Sequence, residues 1–147
     1  MRQLTPTIMN RFRAEAHQPK PRTVIISITN PGSGDAILAD GYAAVHRAKF
    51  WDITAPVVED DEEYLPMTPA QAAAMMAFAR TALPRADHLV VHCEAGISRS
   101  AGSAVALAEI FGLGDADDLA RRYPNFNRHV RRALWRAAAD LKEEGAA

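Results

Sequence analysis

The chain has 147 residues, of which 48% are hydrophobic and 24% are charged, and its formal net charge is -1 at pH 7. These values are typical of one soluble globular domain with a buried core, predicted to span residues 1–147. A charge so close to zero creates no overall field that attracts nucleic acid or an anionic membrane, so neither is expected as a partner.

The first half of the chain is predicted to alternate between helix and strand. A helix is predicted over about residues 7–16, and a short strand rich in β-branched residues over residues 23–28. Turn-forming residues end this strand at residues 30–35, where we expect a connecting loop. A second strand is predicted over residues 45–51, followed by a polar, proline-bearing loop over residues 53–67.

The second half contains stronger signals for helix boundaries. Thr68, Pro69 and Gln71 have the pattern of a capping box, which predicts a helix from residue 68 to about Thr81. A third strand is predicted over residues 88–92, and an apolar, buried helix over residues 100–111.

Two helices complete the chain, over residues 115–122 and 125–142. We expect the last one to be capped by Asn125 and to pack on the sheet. Strands that alternate with helices predict an α/β fold with a mostly parallel central sheet flanked by helices.

The segment between the third strand and the apolar helix has the features of an anion-binding loop. Five residues separate Cys93 from Arg99, enough for the chain to fold around a group the size of phosphate. The following helix adds positive potential at its N-terminus, and glycine at position 96 permits a tight loop. The amides predicted to face the anion belong to Glu94, Ala95, Gly96, Ile97, Ser98 and Arg99.

The side chains of this loop are suited to nucleophilic chemistry on phosphorus. Surrounding amides and a guanidinium favour the thiolate of Cys93, which is the nucleophilic form of the side chain. Arg99 presents a planar fork that can hold two phosphoryl oxygens. Ser100 is expected to donate a hydrogen bond to the sulfur, which would make it a better leaving group.

The pattern HCxxGxxRS of residues 92–100 resembles the signature loop of the protein tyrosine phosphatase superfamily. Residues 95–100 (AGISRS) resemble its dual-specificity branch and related small bacterial enzymes, and a weaker likeness extends over about residues 23–134. The resemblance implies a single domain of the protein tyrosine phosphatase type that requires neither metal nor cofactor. We expect His92 to order the loop rather than to exchange protons with the substrate.

The resemblance also implies a mechanism. Cys93 would attack phosphorus, Arg99 and the loop amides would stabilise the transition state, and water would hydrolyse the phosphocysteine. The substrate would be a phosphorylated protein or a small phosphomonoester. In a protein, the phosphorylated residue would be phosphotyrosine, with phosphoserine and phosphothreonine left open.

Glu94 is predicted to direct its carboxylate toward the pocket mouth and to repel polyanionic substrates.

The general acid of the family is an aspartate, for which the chain has three candidates. Asp52 directly follows the second predicted strand, and residues 50–53 (FWDI) resemble the acid-bearing segment of bacterial relatives. It lies 41 residues before Cys93, which is longer than the usual interval, whereas Asp60 and Asp61 lie 33 and 32 residues before it. We prefer Asp52 and keep the other two as alternatives within an acidic, solvated run.

Two functions of other classes remain open. The same loop can serve a non-catalytic phosphopeptide-binding module, or a sulfurtransferase or arsenate-handling enzyme. A persulfide carrier does not need Arg99 and Ser100, and arsenate reduction of this kind calls for more than one cysteine.

The expected location is the cytoplasm, because the N-terminal residues lack a secretory apolar stretch and no segment is long enough to span a bilayer. A lone cysteine cannot form an internal disulfide and suits a reducing compartment. A monomer is expected.

Overall fold

A computed structural model describes residues 4–146, with side chains described up to residue 143. Residues 1–3 and 147 of the predicted domain lie outside the described residues. The elements in chain order are β1 (Pro6–Met9), α1 (Arg11–Ala16), β2 (Thr23–Thr29), β3 (Ala44–Lys49), β4 (Val57–Glu59), β5 (Glu62–Tyr64), α2 (Pro69–Ala82), β6 (His88–His92), α3 (Arg99–Phe111), α4 (Ala116–Arg122) and α5 (Arg128–Ala146). No helix within residues 4–146 is both long and apolar enough to cross a membrane.

The central sheet has four parallel strands in the order β1-β6-β2-β3. Every residue of β2 is buried, and in β6 only His88 is exposed. Because the four strands run in the same direction, their carboxyl ends meet at one edge of the sheet. That edge brings together the segments that follow Met9, Thr29, Lys49 and His92, and the predicted parallel sheet is confirmed.

Both faces of the sheet are covered, as near-continuous hydrophobic strands require. The larger core lies between the sheet and the helices that follow β5, with Ile26 and Val91 from the strands in one cluster with Met76 and Leu107 from the helices. A smaller cluster on the other face joins Met9, Ala14, Ile25 and Val90. Helix α1 therefore closes the face opposite the helical layer.

The predicted N-terminal helix over residues 7–16 is wrong in its first half. Residues Pro6–Met9 form strand β1, which pairs with β6 so that Ile8 lies opposite Val91. Only residues Arg11–Ala16 are helical, after Asn10 accepts a hydrogen bond from the Arg13 backbone amide. Pairing with a buried neighbouring strand outweighs the local preference of these few residues, since strand formation depends on context.

The C-terminal helix also differs from its prediction. It begins at Arg128 rather than residue 125, because residues 123–126 form a turn in which the Phe126 amide donates to the Tyr123 carbonyl over 3.1 Å. Its N-cap is Asn127, whose side chain accepts from the Val130 amide over 3.0 Å, whereas Asn125 is exposed. The helix packs mainly on α2 and α3 rather than on the sheet.

The predicted loop over residues 53–67 contains an antiparallel hairpin made of β4 and β5, with Val57 opposite Tyr64. The hairpin turns at Asp60 and Asp61, whose φ angles are 53° and 63°. Consecutive left-handed residues form the tight turn that joins two twisted strands, and aspartate tolerates this conformation better than most residues.

Candidate active site

Residues 93–98 connect β6 to α3 at the carboxyl edge of the sheet, and they pack directly on the end of β1. Gly96 has a φ of 73°, and a Cβ added there would lie 2.6 Å from the Asn10 nitrogen and 2.7 Å from the Met9 carbonyl carbon. The amide of Arg11 donates to the Glu94 carbonyl over 3.2 Å. Only glycine fits this position, because any other residue would be strained at this φ angle and its Cβ would clash with the neighbouring segment.

The sulfur of Cys93 lies at the bottom of this loop, with the residue only 2% exposed. The Gly96 amide donates a hydrogen bond to Sγ over 3.2 Å, and Ser100 Oγ lies 3.1 Å from Sγ. Donors directed at a sulfur stabilise negative charge on it. The contact between Ser100 and the sulfur is therefore present where the sequence predicted it.

The guanidinium of Arg99 is hydrogen-bonded through Nη1, whereas its Nε has no partner among the described residues. Its Nη1 donates to Asn30 Oδ1 and to the Phe50 carbonyl, each over 2.7 Å, and the residue is only 5% exposed. Its Nε is buried without a hydrogen-bond partner among the described residues. A buried donor without a partner is costly, and an oxyanion is the kind of group that would satisfy it.

Asn30 is a site residue that the sequence did not identify, since the sequence predicts it only as a turn former. Its side chain is one of the two groups that fix Arg99 Nη1. The only available signal was its position directly after a buried strand of a parallel sheet, where site residues gather.

His92 is fully buried at the junction of β6 and the loop. Its Nδ1 lies 3.2 Å from the Cys93 carbonyl and its Nε2 lies 2.6 Å from Ser27 Oγ. Burial lowers the pKa of His92 below the ordinary 6.5, so the ring is neutral at pH 7. A carbonyl only accepts, so the single proton belongs on Nδ1 and Ser27 donates to Nε2. This geometry supports a role in ordering the loop.

Asp52 lies against the signature loop even though it is distant in sequence. Its Oδ1 accepts hydrogen bonds from Ser98 Oγ over 2.7 Å and from Asn127 Nδ2 over 2.9 Å. Asp60 and Asp61 are exposed at the tip of the hairpin, and no described hydrogen bond or ion pair joins either of them to the loop. The structure therefore brings only the first of the three candidate acids into contact with the loop, within the residues described.

The carboxylate of Glu94, which was predicted to repel polyanions at the pocket mouth, forms an ion pair with Arg11. Its Oε1 accepts from Nη1 of Arg11 over 3.1 Å. The same Nη1 donates to Ser33 Oγ over 3.1 Å, and Nη2 donates to the Gly34 and Asp35 carbonyls over 2.9 and 3.0 Å. Arg11 therefore ties the signature loop to the loop after β2, and the pair compensates the charge that was predicted to repel polyanions.

Two depressions lie outside the loop itself. One of about 190 Å³ is lined partly by Pro31, Phe50, Trp51 and Glu63, next to the backbone that holds Arg99. A larger groove of about 440 Å³ runs between α2 and α5 and contains no residue of the loop. Within the described part of the chain, no three His, Cys, Asp or Glu side chains are grouped so as to hold a metal ion.

Comparison with known proteins gives a structural likeness without a sequence match. No protein-family profile and no curated protein matches the sequence. The structure resembles that of Tk-PTP in its active form, with 15% identity over 93% of this chain and 92% of that chain and a TM-score of 0.54. It also resembles human DUSP28, with 16% identity over 95% of this chain and 94% of that chain and a TM-score of 0.54. The chain therefore has the fold of the protein tyrosine phosphatase type, as its signature loop predicted.

Proposed function

We propose that this protein is a phosphoric monoester hydrolase that acts on phosphorylated protein residues, phosphotyrosine above all, through a phosphocysteine at Cys93. One observation carries the proposal. The same loop carries a buried sulfur that accepts an amide hydrogen bond and ends at a buried arginine, Arg99, whose Nε–H has no partner among the described residues. A nucleophile and an unsatisfied donor in one loop are complementary to a phosphoryl group.

In the first step the thiolate of Cys93 attacks phosphorus in line with the ester oxygen. The S–P bond forms as the P–O bond breaks, and Arg99 with the loop amides stabilises the charge on the equatorial oxygens. Asp52 gives its proton to the departing oxygen, which leaves as an alcohol or a phenol.

In the second step a water molecule attacks the phosphocysteine. Asp52, now a carboxylate, accepts a proton from that water, and inorganic phosphate is released as the S–P bond breaks. The sulfur leaves as a thiolate, and Ser100 stabilises its charge from 3.1 Å away. Apart from the substrate and water, every group that the two steps use belongs to this chain.

The fold shared with Tk-PTP and human DUSP28 supports the proposal, as does the agreement between the loop geometry and the predicted roles. The contacts of Arg99 and Ser100 favour a hydrolase over a persulfide carrier, because a carrier needs neither group. A phosphopeptide-binding module would use the same loop without turnover, so activity must be measured.

The decisive experiment is hydrolysis of para-nitrophenyl phosphate by the purified protein and by Cys93→Ser. We expect turnover by the wild type, competitive inhibition by vanadate, and no turnover by the variant. Vanadate binding without turnover would indicate a binding module. Formation of thiocyanate from thiosulfate and cyanide, with no phosphate release, would indicate a sulfurtransferase.

A further inference from the structure

Asn127 is a nearly buried amide that connects the start of α5 to the segment carrying Asp52. The residue is 5% exposed, and its Nδ2 donates to Asp52 Oδ1 over 2.9 Å and to the Ile53 carbonyl over 3.2 Å. Its Oδ1 accepts from the Val130 amide over 3.0 Å. The side chain therefore caps a helix with its oxygen and holds the segment after β3 with its nitrogen.

The backbone of Asn127 is fixed to the signature loop. Its amide donates to the Ser98 carbonyl over 3.0 Å, and the Gly102 amide donates to the same carbonyl over 2.8 Å. A Cβ added at Gly102 would lie 2.5 Å from the Asn127 carbonyl oxygen, so α3 packs directly against this backbone. Since Ser98 Oγ also donates to Asp52, the three residues form a closed set of contacts.

Both donors reach the same oxygen of Asp52, and this determines which oxygen carries the proton. Oδ1 accepts from Ser98 and from Asn127, whereas Oδ2 has no hydrogen-bond partner among the described residues. When the carboxyl is neutral, its proton belongs on the oxygen that does not already face two donors. Asp52 is an exposed residue, and Oδ2 is the carboxyl oxygen that no group among the described residues occupies.

We propose that Asn127 is a positioning residue for the general acid. It holds Asp52 Oδ1, together with Ser98, so that Oδ2 carries the proton that is transferred to the leaving group. The inference rests on the proposed function, since it requires Asp52 to act as the acid. An exposed side chain on an irregular segment would otherwise sample several rotamers, and fixing it in advance removes that entropic cost from the reaction.

The variant Asn127→Ser tests the inference, because serine retains the cap of α5 but is too short to reach Asp52. Asn125→Ser is the matched control, an exposed asparagine in the same turn. We expect kcat/KM for phenyl phosphate, whose leaving group needs a proton, to fall about tenfold in Asn127→Ser, the effect of one lost hydrogen bond to a charged or reacting group. Hydrolysis of para-nitrophenyl phosphate, whose leaving group needs little protonation, should stay close to that of the control.

A double-mutant cycle separates positioning from a general structural effect. In the Asp52→Asn background, Asn127→Ser should cause no further loss on phenyl phosphate. An equal loss on both substrates, or the same loss in both backgrounds, would overturn the positioning role while leaving the hydrolase assignment in place. Full phenyl phosphate activity of Asp52→Asn would overturn both this inference and the acid assignment, and a wild type without turnover would overturn the proposed function itself.

Discussion

The hydroxyl oxygen of Ser100 lies 3.1 Å from the sulfur of Cys93, and both residues are buried. Ser100 stands in the first turn of α3, so its position relative to the sulfur is fixed by the helix and not by a mobile loop. In the proposed mechanism, we expect a hydroxyl so placed to stabilise the thiolate when it leaves in the second step more than it assists the attack in the first.

Ser100→Ala should therefore slow hydrolysis of the phosphocysteine more than its formation. We expect a burst of para-nitrophenolate followed by a steady state about tenfold slower than in the wild type, the effect of one hydrogen bond to a charged group. Ser103→Ala is the matched control, since Ser103 is also buried on α3 and its Oγ has no described partner. Rapid-quench kinetics that show the burst and the steady state slowed equally would contradict this role.

When the three candidate acids are replaced one at a time, only the replacement of Asp52 should reduce activity. Asp52→Asn is expected to reduce kcat on phenyl phosphate by about 10²-fold and to remove the basic limb of its pH profile, because general acids contribute at least that much. Asp60→Asn and Asp61→Asn should retain wild-type rates, since both residues are exposed at the hairpin turn. If Asp61→Asn lost the basic limb and Asp52→Asn kept it, the assignment would be reversed.

Arg11 should affect the affinity of the loop for oxyanions without touching them. Its fork binds Glu94, Ser33 and two backbone carbonyls at once, which the single ammonium of lysine cannot do. Arg11→Lys is expected to weaken inhibition by vanadate several-fold, whereas Arg13→Lys, exposed on the same helix, should not. Equal inhibition constants for the two variants would show that this connection does not hold the loop in shape.

Local signals in the sequence predicted the parts of the fold that depend on local contacts. The capping box of Thr68 and Gln71 is present, with both side chain to backbone bonds formed, and α2 begins at the next residue as expected. Strand β6 has the predicted bounds, because the short apolar run before Cys93 left little choice of where the strand begins and ends. The contact of Ser100 with the sulfur of Cys93 was predictable for a similar reason, since the two residues lie in one short segment.

Contacts between distant segments were not predictable in this way. Strand β1 forms because Ile8 pairs with Val91, a partner far along the chain. Asn127 was missed in favour of Asn125, since both can cap a helix and only the turn before α5 decides between them. Arg11 gave no signal either, because the partners through which it joins the two loops meet only in the folded chain.

Gly96 and Gly112 offer a comparison of backbone strain with and without a steric clash. Both have left-handed φ angles, 73° and 67°, but a Cβ would strike the backbone of β1 only at Gly96. Gly112→Ala should cost about 1–2 kcal/mol of unfolding free energy and leave activity intact, since Gly112 ends α3 at the end opposite the loop and an added Cβ would meet no atom within 4 Å. Gly96→Ala should cost more and also abolish vanadate binding. Urea unfolding and inhibition measurements check both, and an active Gly96→Ala would mean that the loop tolerates displacement.

The buried ring of His92 should make stability depend on pH. Burial lowers its pKa below 6.5 in the folded state, and burial lowers the pKa of His46 in the same direction. In an unfolded chain the rings of His92 and His46 are protonated near pH 6.5, whereas in the folded chain they are protonated only at lower pH. The unfolding free energy is therefore fully present above about pH 6.5 and decreases as the pH falls through the folded pKa values.

Urea unfolding between pH 7.5 and pH 5 should show this decrease, and it should be shallower in His92→Gln and in His46→Gln, each of which removes one titrating ring. The window lies above the ordinary pKa of 4.5 of Glu15 and Glu109, whose lowered pKa values affect stability only in more acidic solution. Because His92→Gln also loses the contact with Ser27, a direct NMR titration of the His92 ring in the wild type provides a second measurement. A His92 ring that is protonated at or above pH 6.5 would contradict the neutral, loop-ordering state described for the site.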